Sequence, residues 1–312
     1  MTLDLAQQRI VVTGGQGFLG RALCAALRQR GCESLAIPPH QDFDLLDSRA
    51  VERLFHEFRP ELIFHLAAQV GGIEANQREP GRFFYENLQM GMNLIEASRR
   101  QGIVKFLQVG TVCAYPKFTP VPFREDDLWN GYPEETNAPY GIAKKALLVM
   151  LQSYRQQYGF NGIFVLPVNL FGPGDNYDPM SSHVIPALIR KCIEAQRSGA
   201  PEIVVWGTGS ASREFLYVHD CAAGLIRAAE EYSSPEPVNL GSGQEISIRD
   251  LVALIVKLTG YQGQVVWDTS RPDGQPRRCL DTSRAEQAFG FTAQTNLIEG
   301  LQTTIQDYLA GN

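Results

Sequence analysis

Several features of other protein classes are missing from this sequence of 312 residues. No apolar run approaches the roughly 20 residues that cross a bilayer, and residues 1–9 lack the basic segment and apolar core of a signal peptide. The six cysteines form no C-x-x-C pair and no zinc-like spacing, which indicates reduced thiols and no metal site. We therefore expect a cytoplasmic protein with no membrane segment and no bound metal.

Basic residues are fewer than acidic residues in this chain. The chain carries 28 Lys and Arg against 34 Asp and Glu, which gives a formal net charge of −6 at pH 7. This balance provides no long-range attraction for nucleic acid or for an anionic membrane, so we expect neither as a partner. An anionic ligand has to be met by a local group of cations. The length suggests two domains, or one domain with an elaborated lobe.

A strand, a glycine turn and a helix open the chain. The β-branched run 9–13 leads into glycines at every third position, and a helical stretch follows over residues 21–30. In this context glycines let the backbone approach a pyrophosphate, whose charge the N–H groups of the helix N-terminus receive. The spacing G-x-x-G-x-x-G is a variant of the usual dinucleotide motif. The candidate cofactor-binding residues of this turn are Gly14, Gly17, Phe18, Leu19 and Gly20.

Strands and helices alternate from residue 10 to residue 170. The alternation predicts an α/β fold of the Rossmann type, with a doubly wound parallel sheet and right-handed crossovers. Ligands of such sheets bind at the carboxyl ends of the strands. Asp47, near one of these ends, is equally well explained as a helix cap. The candidate cofactor-binding residues outside the glycine turn are Asp44, Leu45, Leu66, Ala67, Ala68, Lys144 and Asn169.

The second predicted strand, residues 34–37, bears on the choice between NAD and NADP. An acidic residue at its end favours NAD, and a basic residue favours the 2′-phosphate of NADP. The strand ends instead in Pro38, Pro39 and His40. These residues leave the choice open.

A phenol and an ammonium lie four residues apart in Tyr140 and Lys144, at the start of a helical pattern. This spacing places both groups on one face of a helix, and a neighbouring cation lowers the pKa of a tyrosine. The pair is therefore a candidate proton donor. From this pattern alone, a surface tyrosine beside a solvated lysine is the commoner interpretation.

A loop rich in glycine and proline after residue 170 marks a departure from the sheet. We predict a cofactor-binding domain of residues 1–170 and 215–240, and a smaller α/β substrate-binding lobe of residues 171–214 and 241–312. Several cations of this lobe are suited to a diphosphate, because the guanidinium fork matches phosphate oxygens. For Arg271 and Arg278 a solvated basic face is an equally good interpretation.

Together these motifs resemble the extended short-chain dehydrogenase/reductase family that acts on nucleotide sugars. The similarity rests on the glycine turn, on Thr111 and on Tyr140-x-x-x-Lys144. Within that family the chain is similar to the GDP-L-fucose synthases over nearly its whole length. Segments that carry this similarity include residues 70–73, 113–117, 135–140, 182–188, 205–207, 213–216 and 271–277.

The resemblance implies a bifunctional enzyme. It epimerises GDP-4-keto-6-deoxy-D-mannose at C3 and C5, and then reduces C4 with NADPH to form GDP-L-fucose. Inversion calls for two proton-exchanging groups on opposite faces of the sugar, which we assign to Cys113 and His183, while Tyr140, Lys144 and Thr111 serve the C4 oxygen. Thiols and imidazoles, with reference pKa values of about 8.5 and 6.5, suit proton exchange near neutrality. Taken singly, the cysteine is more commonly a small buried residue and the histidine a helix cap.

The resemblance also implies NADP(H) as cofactor, a GDP-sugar as substrate and a homodimer built from the helix of Tyr140 and the helix over residues 83–100. Gln16 and His40 stand where this family has arginines for the 2′-phosphate, so these two positions do not themselves select NADPH over NADH. Trp206 either stacks on the base or fills the core of the lobe. The candidate substrate-binding residues are Arg190, Lys191, Trp206, Arg213 and Arg277.

Other functions remain open. The same fold supports a reductase or a single-position epimerase that acts on another GDP-4-keto sugar, such as a heptose. A dehydratase is disfavoured because those relatives have Asp-Glu where this chain has Val112 and Cys113. A non-catalytic NADP(H) sensor is disfavoured by the intact Tyr140 and Lys144.

Overall fold

The computed structural model describes residues 2–179, 181–271 and 273–311. Pro272, which belongs to the segment 271–277 named above, lies outside the described residues. In chain order the strands are β1 (Ile10–Thr13), β2 (Leu35–Ala36), β3 (Leu62–His65), β4 (Lys105–Val109), β5 (Gly162–Pro167), β6 (Asn169–Phe171), β7 (Glu202–Trp206), β8 (Ser212–Tyr217), β9 (Val238–Leu240), β10 (Glu245–Ser247) and β11 (Gln264–Asp268). The helices are α1 (Phe18–Gln29), α2 (Ser48–Phe58), α3 (Ile73–Arg78), α4 (Pro80–Gln101), α5 (Ala138–Tyr158), α6 (Val184–Ser198), α7 (Val218–Glu231), α8 (Ile248–Thr259), α9 (Ser283–Phe289) and α10 (Leu297–Gly311).

The main sheet confirms the predicted α/β fold. Within the described residues it has six strands in the order β2-β1-β3-β4-β5-β9, and every pair is parallel. Every residue of β1, β3, β4 and β5 is buried, as expected for apolar strands covered on both faces. The strand order reverses between β1 and β3, and such a switch point opens a crevice at the carboxyl ends of the strands.

The six-stranded sheet and the helices that cover it share one hydrophobic core, called here the first core. Its helices pack in pairs, with α1 against α7 and α4 against both α2 and α5. The predicted second strand is shorter than residues 34–37, because only Leu35 and Ala36 pair with β1. Beyond them the chain turns away through two prolines, which cannot donate to a ladder. This short edge leaves the end of β1 open toward His40.

A second hydrophobic core joins the C-terminal helices. It contains buried residues of α6, α8 and α10 together with β7. β7 and β11 pair in parallel as a small sheet, and β8 pairs with β6 and with β10 in another. The proposed division into domains stays a prediction. The strand order places β8 outside the six-stranded sheet. α9, in contrast, packs on the first core through Ala285 and Phe289.

The described residues contain neither a membrane-crossing helix nor a metal-binding cluster. None of their helices has both the length and the apolar character that crossing a membrane requires. No group of three or more His, Cys, Asp or Glu side chains within them could hold a metal ion. All six cysteines are free thiols.

Candidate active site

The glycine turn between β1 and α1 is shaped by close approach of backbones. Gly14 has φ +72°, and a Cβ there would lie 2.7 Å from the backbone nitrogen of Ala67. A Cβ on Gly20 would lie 2.1 Å from the carbonyl oxygen of Gly14, so α1 can approach β1 only through glycine. Among the described residues no side chain caps the start of α1 at Gly17. The first N–H groups of this helix are thus available to an anion.

A cleft of about 1050 Å³ runs from this turn, across the carboxyl ends of the central strands, to α6 and β7 of the second core. Its volume is at the upper end of the roughly 300–1,000 Å³ of ordinary ligand pockets, which suits two elongated ligands. All the predicted cofactor-binding residues and all five predicted catalytic residues line it. Of the predicted substrate-binding residues, Arg190, Lys191, Trp206 and Arg213 line it as well.

Arg277 is the exception. Its side chain is 60% exposed, and its Nη2 lies 2.6 Å from Oε2 of Glu245, away from the cleft. The structure therefore does not bring Arg277 to the cleft, and its contact with the substrate stays a prediction. Adjacent Arg278 turns inward and lines the cleft. Only the path of the irregular segment between β11 and α9 decides which of two neighbouring arginines faces a ligand.

The loop after β2, where the adenosine is expected, forms one end of the cleft. Asp44 lines the cleft and accepts a hydrogen bond from the backbone N–H of Leu46 at 3.0 Å. Asp47 caps α2 by accepting from the N–H of Arg49 at 2.9 Å, which confirms its structural interpretation. His40 also lines the cleft, at the position that bears on the 2′-phosphate.

Tyr140 and Lys144 lie together on α5, as their spacing predicts. The ammonium of Lys144 is 5.9 Å from the centre of the Tyr140 ring and donates to the carbonyl of Val109 at 3.2 Å. Burial lowers the pKa of Lys144 to about 8. Burial and the nearby thiol of Cys113 raise the pKa of Tyr140, against a hydrogen bond with Thr111 that lowers it.

The expected lowering of the Tyr140 pKa by the lysine is thus wrong in direction. Lys144 is buried, and Tyr140 is half-buried with its phenol enclosed by the walls of the cleft. Removing a phenolate from water there raises the pKa of Tyr140 more than the neighbouring ammonium lowers it. The result still suits a proton donor. A phenol whose pKa is raised keeps its proton throughout the neutral range, and is ready to transfer it.

Thr111 and Cys113 belong to a short 3-10 turn directly after β4. The Thr111 hydroxyl accepts a hydrogen bond from the N–H of Cys113 at 3.2 Å and so caps the turn. α5 approaches this turn through Gly141, where a Cβ would lie 2.4 Å from the carbonyl oxygen of Cys113. Sequence analysis missed Gly141, although a glycine in the first turn of a helix was the available signal. It lets Tyr140 come close to Thr111.

His183 directly precedes α6 and faces the same cleft. The ring stays open to solvent, yet the walls of the cleft surround it, and this environment together with the charge of Arg278 lowers the pKa of His183. Among the described residues its side chain makes no capping hydrogen bond to α6. His183 therefore occupies the N-cap position of α6, as the simple interpretation has it, but within the described residues its side chain has no capping role.

The far end of the cleft carries cations and an aromatic ring. Nη1 of Arg190 lies 2.9 Å from Glu194, and its buried Nε has no partner among the described residues. Lys191 donates to the carbonyl of Val204 at 2.8 Å. Trp206 is 54% exposed and lies under the guanidinium of Arg271 at 4.8 Å, so it does not fill the core of the lobe.

Arg213 fastens the irregular segment that follows β11. Its Nη1 donates to the carbonyls of Ser212 and Gln275 at 2.7 and 2.6 Å, and its Nη2 donates to the carbonyl of Asp273 at 3.2 Å. Burial lowers the pKa of Arg213 to about 10, which leaves it charged at neutral pH. Sequence analysis missed Gln275, which also lines the cleft. A glutamine in a loop carries no local signal for this position.

Comparison with known proteins agrees with this geometry. A family model described as the NAD dependent epimerase/dehydratase family matches residues 10–241. GDP-L-fucose synthase 1 of Arabidopsis thaliana is 42% identical over 301 residues, which cover 96% of this chain and 93% of that protein.

Solved structures are similar over the whole chain. A GDP-L-fucose synthetase from Naegleria fowleri bound to NADP has a TM-score of 0.90 and 29% identity, and covers 100% of this chain and 96% of its own. A GDP-6-OMe-4-keto-L-xylo-heptose reductase from C. jejuni has a TM-score of 0.92 and 28% identity, and covers 100% of both chains. The resemblance drawn from the motifs is confirmed. The chain belongs to the NAD-dependent epimerase/dehydratase family.

Proposed function

We propose that this chain is an NADPH-dependent epimerase-reductase that converts GDP-4-keto-6-deoxy-D-mannose to GDP-L-fucose. Support comes from the relative at 42% identity named GDP-L-fucose synthase 1. Within the structure, support comes from one cleft that holds a thiol and an imidazole, Cys113 and His183, beside the Tyr140 and Lys144 pair. A simple reductase needs only Tyr140 and Lys144, and has no use for the thiol and the imidazole.

The residues of the cleft fit NADP(H). Close backbone packing at the glycine turn and the uncapped start of α1 form a cradle for the pyrophosphate. Asp44 and Leu45 would border the adenosine, and Ala67 and Ala68 leave space beside the turn. Asn169, the first residue of β6, lines the cleft and would border the nicotinamide. When bound, NADPH supplies the hydride for C4.

Reduction of the C4 ketone also needs a proton for its oxygen. Tyr140 holds that proton, because burial raises the pKa of the phenol. The hydroxyl of Thr111 lines the same part of the cleft and can donate a second hydrogen bond to the oxygen. Lys144, fixed by the carbonyl of Val109, stabilises the phenolate left after transfer.

Epimerisation uses the acidity that a C4 ketone gives to the C–H bonds at C3 and C5. A base takes the proton, and the electron pair of the C–H bond moves into an enolate whose oxygen is stabilised by Tyr140 and Thr111. Inversion follows when a different group returns a proton to the other face of that carbon. We assign removal to the thiolate of Cys113 and return to the imidazolium of His183.

The GDP moiety is expected at the end of the cleft between α6 and β7. Arg190 lines this part of the cleft, and its guanidinium fork is suited to phosphate oxygens. Lys191 adds a second cation beside it, and exposed Trp206 offers a ring face for stacking on guanine. Arg213 contributes the N–H groups that it does not use on backbone carbonyls.

Reduction of another GDP-4-keto sugar is the second candidate. The similarity to a heptose reductase, with a TM-score of 0.92, favours it, although at 28% identity. The two candidates differ in their requirement for proton exchange. Purified protein, GDP-4-keto-6-deoxy-D-mannose and NADPH should give GDP-L-fucose by NMR, with deuterium from D₂O at both C3 and C5. A product reduced at C4 without this deuterium would overturn the epimerase assignment and favour the reductase.

Preference for NADPH over NADH is the part of the proposal that depends on Gln16 and His40. Both line the cleft, Gln16 from the glycine turn after β1 and His40 from the loop after β2. These groups provide donors for a 2′-phosphate. We expect kcat/KM to be higher with NADPH. A higher kcat/KM with NADH would contradict the assignment of this region.

We also propose a homodimer in the cytoplasm. α4 and α5 pack against each other and expose large apolar side chains, a surface that a second copy would bury as a four-helix interface. Six free thiols are consistent with a reducing compartment. Light scattering should give twice the chain mass, and cell fractionation should recover the protein with the cytosol. The exposed side chains are Phe84, Tyr85, Met92, Val149 and Tyr158.

A further inference from the structure

Arg278 lies against the thiol that we assign to proton removal. It is only 9% exposed, and its Nη1 is 3.8 Å from Sγ of Cys113. Its Nε and Nη2 both donate to Oε1 of Gln275, at 3.2 and 3.1 Å. These hydrogen bonds go to a neutral amide and a thiol, so they leave the positive charge of the guanidinium directed at the sulfur.

Gln275 has one orientation that satisfies its contacts. Its Nε2 donates to the carbonyl of Lys117 at 3.0 Å, which leaves Oε1 as the acceptor for Arg278. The residue is 6% exposed, so the amide has little room to rotate. Lys117 is four residues after Cys113 in the chain. The amide thus ties the arginine to the same segment that carries the thiol.

The segment that carries Gln275 and Arg278 is itself fixed by consecutive residues of β8. The N–H of Ser212 donates to the carbonyl of Pro276 at 2.9 Å. Fully buried Glu214 accepts from the N–H of Leu280 at 2.6 Å. Arg213, between them, holds two more carbonyls of the segment. Such anchoring on both sides of Arg278 is more than a solvated loop requires.

Charged and titratable groups face Cys113 from each element around it. Within the described residues they are Tyr140 of α5, Arg213 of β8 and Arg278, with His183 at the start of α6 beside Arg278. Tyr140 is neutral near pH 7, since burial raises its pKa. Arg213 directs its hydrogen bonds at backbone carbonyls. Arg278 is the cation whose N–H reaches the sulfur.

We propose that Arg278, oriented by Gln275, is the positioning residue that stabilises Cys113 as a thiolate and so makes it the base of the epimerisation. A guanidinium at this distance favours an anion. The role of Cys113 as a base rests on the proposed function. The charge on its sulfur does not, because it can be measured without any substrate.

The same charge acts in the opposite sense on His183. Arg278 contributes to the lowered pKa of His183, and a lower pKa makes the imidazolium a stronger acid. One guanidinium therefore favours the anion at the sulfur and makes the imidazolium, once it has taken up a proton, the readier proton donor. This division of roles is the one that inversion of a carbon centre needs.

The test is the rate at which iodoacetamide alkylates Cys113 in the full-length protein as a function of pH. The thiolate is the reactive form, and the other five cysteines are buried, so the fast phase reports Cys113. Cys113→Ser should remove that phase. Arg278→Gln should lower the rate at pH 7 about tenfold and move the profile to higher pH, because a nearby charge changes such equilibria by about tenfold or more.

Two matched variants separate charge from structure. Arg277→Gln removes the same charge one residue away, from an exposed side chain paired with Glu245, and should leave the rate unchanged. Arg278→Lys keeps a cation and should recover most of the rate. Gln275→Leu keeps the arginine but removes its acceptor, and should lower the rate by a smaller factor than Arg278→Gln. Circular dichroism and NADPH binding check that each variant is folded.

An unchanged alkylation rate in folded Arg278→Gln would overturn the proposal. So would an equal loss in Arg277→Gln, or a failure of Arg278→Lys to recover the rate. If Arg278→Gln does not fold, Gln275→Leu and Arg278→Lys decide the question. The proposed function fails separately, because wild-type protein that shows an arginine-dependent thiolate but forms no GDP-L-fucose would contradict the function and leave the role of Arg278 intact.

Discussion

Gly141→Ala tests whether the distance between α5 and the turn of Cys113 controls catalysis. A Cβ at position 141 would lie 2.4 Å from the carbonyl oxygen of Cys113 and 3.0 Å from its carbonyl carbon. Ordinary contact begins at 3.4 Å. The atoms it would meet are backbone atoms, which cannot rotate away. The first turn of α5 and the turn after β4 must therefore separate by about 1 Å, a displacement that typically costs on the order of 10²-fold in rate.

Stability should respond much less than activity. Alanine is favoured over glycine inside a helix by roughly 0.8–1.0 kcal/mol, whereas overpacking costs roughly 1–3 kcal/mol. The free energy of unfolding should thus fall by about 0–2 kcal/mol, while kcat/KM falls about 100-fold because Tyr140 moves away from Thr111. Urea unfolding and NADPH oxidation at saturating cofactor measure the two quantities.

Gly81→Ala, in the first turn of α4, is the matched control. A Cβ at position 81 would meet no atom within 4 Å, so only helix propensity changes. We expect wild-type kcat/KM and a free energy of unfolding that is unchanged or up to about 1 kcal/mol higher. Wild-type activity in Gly141→Ala would refute the reasoning, because it would mean that the site tolerates the displacement or that the turn yields without moving Tyr140.

Two further predictions concern the site, and a third concerns Asp175, a buried carboxyl in the loop after β6. Tyr140→Phe should lower C4 reduction by about 10²- to 10⁴-fold while deuterium exchange at C3 and C5 persists; parallel loss of both would assign the phenol a structural role. Cys113→Ser should abolish most deuterium exchange at C3 and C5 while C4 reduction persists. Exchange at the wild-type rate would make Cys113 a packing residue. Burial raises the pKa of Asp175 from 3.8 to about 7. Below pH 3.8 the carboxyl is protonated in both the folded and the unfolded chain, and the fold keeps its full stability. As pH rises from 3.8 through 7, the fold loses stability because the carboxylate is disfavoured in its buried site. Asp175→Asn should therefore stabilise the fold at pH 8 by at most about 4 kcal/mol, and not at pH 3.5. Urea unfolding at both pH values checks this, and an equal effect at both would contradict it.

Much of the cofactor half of the site could be predicted from sequence, because it depends on residues close together in the chain. Gly14, Gly17 and Gly20 lie within seven residues, and the backbone freedom that they provide is a property of the residue type. The four-residue spacing of Tyr140 and Lys144 brings them together on any helix. Alternation of apolar strands with helices likewise defines a parallel sheet before any contact is known.

The structure alone decided features that depend on burial and on the path of distant segments. Arg278 rather than Arg277 faces the cleft, and its partner Cys113 is 165 residues away. The pKa of Tyr140 rises instead of falling, because desolvation depends on every group packed around the ring. The exposure of Trp206 and the pairing of β8 outside the main sheet have the same origin. Sequence spacing carries local geometry, whereas charge balance and solvent access are set by segments that meet only after folding.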